Sequence, residues 1–191
     1  ENLKDFFNRG YKTGDGSPMV KIGPLKLILD GSLGGRTAAM KEPYADDPTT
    51  KGLLNFGYEE LLGIVDRAYE NGFQLAIHGI GDKAIEMIID AYEVMDKKYS
   101  VKDRRNGVVH AQFTNKELLR RMKEGNVLAL IQPIFIDDDM KVAEQRVGKE
   151  RMEAVYAWKT MRDMGIHTAG GSDAPVASFE VLKNIHCAVN S

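Results

Sequence analysis

Four side chains in this 191-residue chain join a type that binds metal ions or moves protons to a place in or just after a short apolar run: Lys26, His78, His110 and Asp173. Lys26 lies in Leu25-Lys26-Leu27-Ile28-Leu29-Asp30, where alternation puts the leucines on one face and Lys26, Ile28 and Asp30 on the other. A lysine inside a buried strand loses the hydration of its ammonium group. It either snorkels to the strand end or keeps a lowered pKa, ready to react with carbon dioxide or a carbonyl. His78 and His110 stand at or near the ends of two further apolar runs. A single histidine there is more often a hydrogen-bonded structural residue. A pair one repeat apart also suits neutral imidazole ligation of zinc or a related divalent ion. Asp173, in Gly170-Gly171-Ser172-Asp173-Ala174-Pro175-Val176, either caps the turn into a helix or supplies a carboxylate for metal binding or proton transfer.

The elements that must position these groups are short strands alternating with helices. Strands are predicted at Leu25 to Asp30, Phe73 to His78, Gly107 to Gln112, Val127 to Gln132 and Ile166 to Gly171. A helix is expected from Tyr58 to Glu70, with Leu61, Leu62, Val65, Ala68 and Tyr69 on one face and Asn71-Gly72 ending it. Another follows Gly79-Ile80-Gly81, with Asp82 as its cap and Ala84, Ile85, Ile88, Ala91, Tyr92 and Met95 spaced by threes and fours. Thr114-Asn115-Lys116-Glu117 reads as a capping box, and Gly125 closes that helix. Asp137 to Asp139 reads as a solvated loop, followed by a helix ending near Met164-Gly165. A last helix is expected from Ser178 to Val189. Strands apolar on both faces belong in a parallel sheet covered by helices, either doubly wound or part of an eight-stranded barrel. A whole barrel takes ~250 residues, so this length suits about five units. In a barrel the C-terminal strand ends share one mouth, where His78, His110 and Asp173 would meet.

Composition narrows the partners. Hydrophobic residues make up 43% of the chain, enough for one core and a single domain over residues 1–191. The formal charge is −2 with acidic and basic residues interleaved, so neither nucleic acid nor an anionic membrane surface is indicated. No apolar run approaches the ~20 residues of a membrane span. Cys187 is the sole cysteine, which excludes an internal disulfide and suits a cytoplasmic protein. Glu1 to Gly10 shows no signal pattern, and an abrupt opening without Met reads as a fragment. Gly79-Ile80-Gly81 and the loop Gly31 to Gly35 lack phosphate-loop spacing. His167, at a strand start, and His186, in the last helix, carry default packing or surface roles.

The order Lys, His, His, Asp on successive strands resembles the amidohydrolase superfamily, in particular the amidohydrolase-3 branch that includes N-substituted formamide deformylase. The matching stretches are Leu25 to Gly34, His78-Gly79-Ile80-Gly81-Asp82-Lys83-Ala84, Val109-His110-Ala111-Gln112 and Gly171 to Val176. The resemblance implies an α/β fold, a partial (β/α)8 TIM barrel of about strands 4 to 8 with their helices. It implies that Lys26, as a carbamate, bridges two divalent metals, zinc being the expected ion. His78 and His110 bind one metal; Asp173 binds the other and acts as general base. Gln132 and Arg36 are the implied substrate contacts.

The implied reaction is hydrolysis of an amide- or formamide-type, non-peptide C–N bond by a metal-activated hydroxide. The family's first strand ends in H-x-H, and this sequence contains none. The chain by itself is therefore expected to be inactive, a barrel domain fragment without strands 1 to 3 or the accompanying β-sandwich. The alternative is a non-catalytic half-barrel serving assembly or binding. Either way the exposed barrel edges predict a homo-oligomer, which a monomeric size-exclusion mass would overturn.

Overall fold

Five parallel strands alternate with helices in a computed structural model that describes residues 3–101 and 103–190. They are β1 (Leu25–Ile28), β2 (Leu75–Gly79), β3 (Gly107–His110), β4 (Leu128–Ile131) and β5 (Thr168–Gly170), side by side in chain order. This order separates the two candidate architectures. A doubly wound sheet reverses its strand order at a switch point, whereas an order without reversal is a segment of a singly wound barrel. Each crossover is helical: α2 (Tyr58–Glu70), α3 (Asp82–Tyr99), α4 (Lys116–Glu124), and between β4 and β5 the pair α5 (Ile136–Val147) and α6 (Trp158–Asp163). A short helix α1 (Leu3–Asn8) precedes β1, and α7 (Val181–Asn190) follows β5.

The helices cover one face of the sheet. Leu27, Leu29, Leu75, Ile77, Val108, Ala129 and Ile131 meet Leu61, Val65, Ile85, Ile88, Leu118 and Met161 in the main core. The other face is open at its edge, and Ile28 there is 53% exposed. Lys26 shares that face and is exposed, so the buried strand expected around it is buried on its leucine side alone. A second apolar cluster, including Leu33, Tyr44, Ile80, Phe113, Val147 and Val155, ties together the loops beyond the strand ends.

The strands are shorter than their apolar runs because the chain turns away once the ladder ends. Leu29 still donates to the His78 carbonyl (3.2 Å), but Asp30 instead makes an isolated antiparallel bridge with Leu54. Helix α2 matches its expected bounds, since Leu61, Val65, Ala68 and Tyr69 recur on one buried face. Two caps differ from expectation. Gly81, not Asp82, is the N-cap of α3, and the Asp82 carboxylate accepts from the Lys41 amide (2.8 Å). For α4, Asn115 is the N-cap and accepts from Leu118 N (2.9 Å). Thr114 is drawn instead to the Ala154 carbonyl, to which its amide donates (2.9 Å), so a single cap by Asn115 replaces the predicted capping box.

Asp137, Asp138 and Asp139 are not a loop. They form the first turn of α5, where three carboxylates stand against the positive helix end. Gly148, at φ 78°, breaks the single helix expected up to Met164, and a 3-10 turn at Lys149–Ala154 leads to α6. Helix α1 was not foreseen from polar opening residues; Phe6 and Phe7 pack on Phe73 at centroid distances of 5.3 and 5.7 Å. Among the described residues no helix is long and apolar enough to cross a membrane.

Candidate metal centre

The strand register sets the first two groups. Lys26 pairs with Ala76 and Ile28 with His78, so Lys26 and His78 share the open face, with the histidine nearer the C-terminal edge. His78 is held by its Nε2–H, which donates to the Gly31 carbonyl (3.0 Å) beside Asp30 Oδ1 (3.3 Å). A carbonyl oxygen can only accept, so Nε2 carries a hydrogen.

His110 reaches the same mouth by a different route. Its register partner is Gly79, whose missing side chain would point at Ile85 and Ile88 in the helix-side core. Strand alternation would therefore send His110 to the helices. The ladder ends there, however, and His110 (φ 76°) and Ala111 (φ 46°) turn through the left-handed region. The imidazole then lies edge-on to His78, with centroids 4.4 Å apart at 72°, and stacks on Phe135 at 5.8 Å. It is 5% exposed. Burial first, then the neighbouring His78 and Lys26, push its pKa down to about 3, so it stays neutral at ordinary pH.

Asp173 arrives from beyond β5, also in the left-handed region (φ 56°). Its Oδ2 lies 4.0 Å from His110 Nε2. Helix α7 begins only at Val181, so Asp173 does not cap it. In a flat sheet β1 and β5 would stand ~19 Å apart. The curl of the sheet brings Asp173 close enough to raise the Lys26 pKa, against the larger lowering caused by desolvation. Lys26, His78, His110 and Asp173 thus gather at one mouth.

Gln132 lies beside His110 and is 7% exposed; its Nε2 donates to the Leu130 carbonyl (3.0 Å), while its Oε1 has no partner. Arg36 is engaged elsewhere, in a two-pronged pair with Asp46 (Nε–Oδ1 3.0 Å, Nη2–Oδ2 2.8 Å), so a substrate would have to displace that carboxylate. His167 precedes β5 at the opposite end of the strand, and His186 bonds to Asn190 on α7.

Three groups went unnoticed in the sequence. Asp30, 1% exposed, accepts from three backbone amides and adjoins His78; its shared face with Lys26 was the available sign. Gln112 and Tyr156 both donate to Asp139, joining segments far apart in sequence. Beside the mouth opens a cleft of about 440 Å³, with Leu33, Ile80, Phe135 and Val176 as apolar wall and Gln112 and Asp139 as polar wall.

The model of the Amidohydrolase family matches residues 1–191. The chain belongs to the amidohydrolase family. It is 41% identical over 172 residues to the putative amidohydrolase YtcJ of Bacillus subtilis (strain 168), covering 90% of this chain and 32% of that protein. N-substituted formamide deformylase of Arthrobacter pascens is 23% identical, over 91% of this chain and 32% of its own. The crystal structure of an uncharacterized metal-dependent hydrolase from Pyrococcus horikoshii OT3 superposes with a TM-score of 0.88 at 33% identity, covering 98% of this chain and 37% of that one. The partial-barrel reading of the sheet agrees with this neighbour. The amidohydrolase chain spans about a third of the length of these relatives.

The donors fit a divalent metal in part. Two imidazoles, an amine with a lowered pKa and a carboxylate suit a borderline ion such as zinc. The buried Nδ1 of His110 has no hydrogen-bond partner, a condition that a ligand would relieve. Among the described residues, however, no three His, Cys, Asp or Glu side chains converge closely enough to enclose an ion. This amidohydrolase segment carries a set of donors rather than a closed cage.

Proposed function

We propose that this chain supplies one side of the metal centre of a hydrolase acting on amide- or formamide-type C–N bonds. The observation that carries the reading is the edge-on pair of His78 and His110 at 4.4 Å, the second buried and neutral, with Lys26 and Asp173 at the same mouth. In the proposed centre His78 and His110 would hold one divalent ion, Asp173 would serve a second, and the metal is zinc by preference. When bound, it polarises the scissile carbonyl and lowers the pKa of water to ~7.

The chain's own residues do the rest. Desolvation biases Lys26 toward the neutral amine, the form that adds carbon dioxide. The resulting carbamate would give the mouth a further anionic donor. Asp173 would accept a proton from the attacking water and return it to the departing amine. With a formamide, the products balance as formate and the amine. Gln132, with an unpartnered oxygen beside His110, is placed to take a hydrogen bond from the substrate. The similarity to N-substituted formamide deformylase supports that substrate class.

We further propose that residues 1–191 do not complete the centre, which accords with the lack of a converging donor triad among the described residues and the greater length of the relatives. A panel of N-substituted formamides and amides, assayed for amine release with zinc and after chelation, tests both statements. The expected result is chelator-sensitive release that needs more than residues 1–191. Release unaffected by chelation would overturn the metal reading, and turnover by residues 1–191 alone would overturn the incompleteness.

A further inference from the structure

We propose that Asp30 is a positioning residue that fixes the orientation and tautomer of His78, an inference that rests on His78 being a metal-side group. The Asp30 carboxylate is surrounded by donors from two different loops. Its Oδ2 accepts from Ala39 N and Gly81 N, both at 2.9 Å, and its Oδ1 from Ile80 N at 3.0 Å. The same Oδ1 lies 3.3 Å from His78 Nε2. A carboxylate 1% exposed and bound by three backbone amides is fixed in place, because each amide would otherwise be a buried donor without a partner.

The geometry transmits that rigidity to the ring. The Nε2–H donates to the carbonyl of Gly31, the residue directly after Asp30. The Gly31 backbone packs directly against Thr37: a Cβ there would come within 2.1 Å of Thr37 Oγ1. The Gly31 amide is also tied to the Thr37 carbonyl at 3.1 Å. On the other loop, a Cβ on Gly81 would meet the Ala39 carbonyl oxygen at 2.0 Å. The Asp30 carboxylate and the Gly31 carbonyl therefore present a rigid acceptor edge to Nε2–H, which holds the lone pair of Nδ1 available on the opposite side. Partners of this kind tune ligand affinity without touching the metal.

Asp82 supplies the internal control. Its carboxylate also bridges the same two loops, through Lys41 N at 2.8 Å, but has no contact with His78. The experiment compares Asp30→Asn and Asp82→Asn in the whole chain by long-range 1H–15N spectra of His78 in metal-free protein, then by zinc titration. In the unsubstituted protein His78 should be a single Nε2–H tautomer. Asp30→Asn should give a tautomer mixture and about tenfold to hundredfold weaker zinc binding, while Asp82→Asn leaves both unchanged. An Nδ1–H or averaged His78 in the unsubstituted protein overturns the proposal without any variant. So does a folded Asp30→Asn protein with an unchanged His78 spectrum, or equal changes in both variants. If Asp30→Asn does not fold, Asp30→Glu, which moves the carboxylate by one methylene, replaces it with the same outcomes. A fixed Nε2–H tautomer with no zinc binding at all would sink the metal reading and leave the positioning role standing.

Discussion

Replacing both His78 and His110 by alanine should lower zinc uptake by this chain by more than the roughly tenfold to hundredfold loss that removal of an outer partner alone causes. The two imidazoles are the aromatic nitrogen donors at the mouth, edge-on at 4.4 Å, and zinc is readily bound by such donors. His110 pays no protonation penalty above acid pH, because burial already keeps it neutral. Without the pair, Lys26 and Asp173 remain, an amine and a carboxylate whose side chain is 41% exposed. Equilibrium dialysis with zinc checks the expectation, with circular dichroism to confirm that the variant keeps its fold. The single variant His78→Ala should already bind less than the parent chain. Equal zinc uptake by the parent and His78→Ala would remove the basis for the proposed centre.

Acidification should destabilise the fold through His110, and the sign follows from its buried neutral ring. Its folded pKa is about 3 against an ordinary value of 6.5. Between those values the unfolded chain takes up a proton that the folded chain refuses. The contribution of His110 is therefore fully present above pH 6.5 and declines as pH falls toward 3, by at most about 5 kcal/mol. Buried Asp82 and half-buried Asp96, whose pKa values are raised by desolvation, act in the opposite direction at lower pH. Their effect is common to parent and variant, so a comparison isolates the histidine. Urea unfolding at several pH values from 7 to 4 should show the parent losing stability more steeply than His110→Phe, which keeps the stack on Phe135 and cannot titrate. Parallel curves would mean that His110 is protonated in the folded state or hydrated there.

Much of the scaffold could be read along the chain. Helices α2 and α3 carry apolar residues at spacings of three and four over three or more turns, a signal local enough to survive folding unchanged. The strands appear as short apolar runs, though their ends were overestimated, since a run does not show where the backbone leaves the ladder. Lys26 and His78 lie on one face by simple alternation and register. Cap positions were less legible: Thr114 and Asn115 both have capping side chains, and the competing bond to Ala154 comes from 40 residues away.

By itself, then, the sequence determined the alternation of elements, the four stretches that mark the family, and which side chains could serve a metal. The tertiary structure alone decided how those side chains meet. Alternation would turn His110 toward the helices, and only two successive left-handed residues at the strand end bring it against His78. Asp173 joins them because a five-stranded sheet curls, a property of stacked twists between strands rather than of any one segment. Asp30 looked like one more strand residue, yet its partners are amides of Ala39, Ile80 and Gly81 that become neighbours only when two loops pack. Arg36 looked available and is paired with Asp46. The physical reason is the same in each case: periodicity records which face a residue occupies within its own element, whereas contacts between loops depend on where the elements around them have been placed.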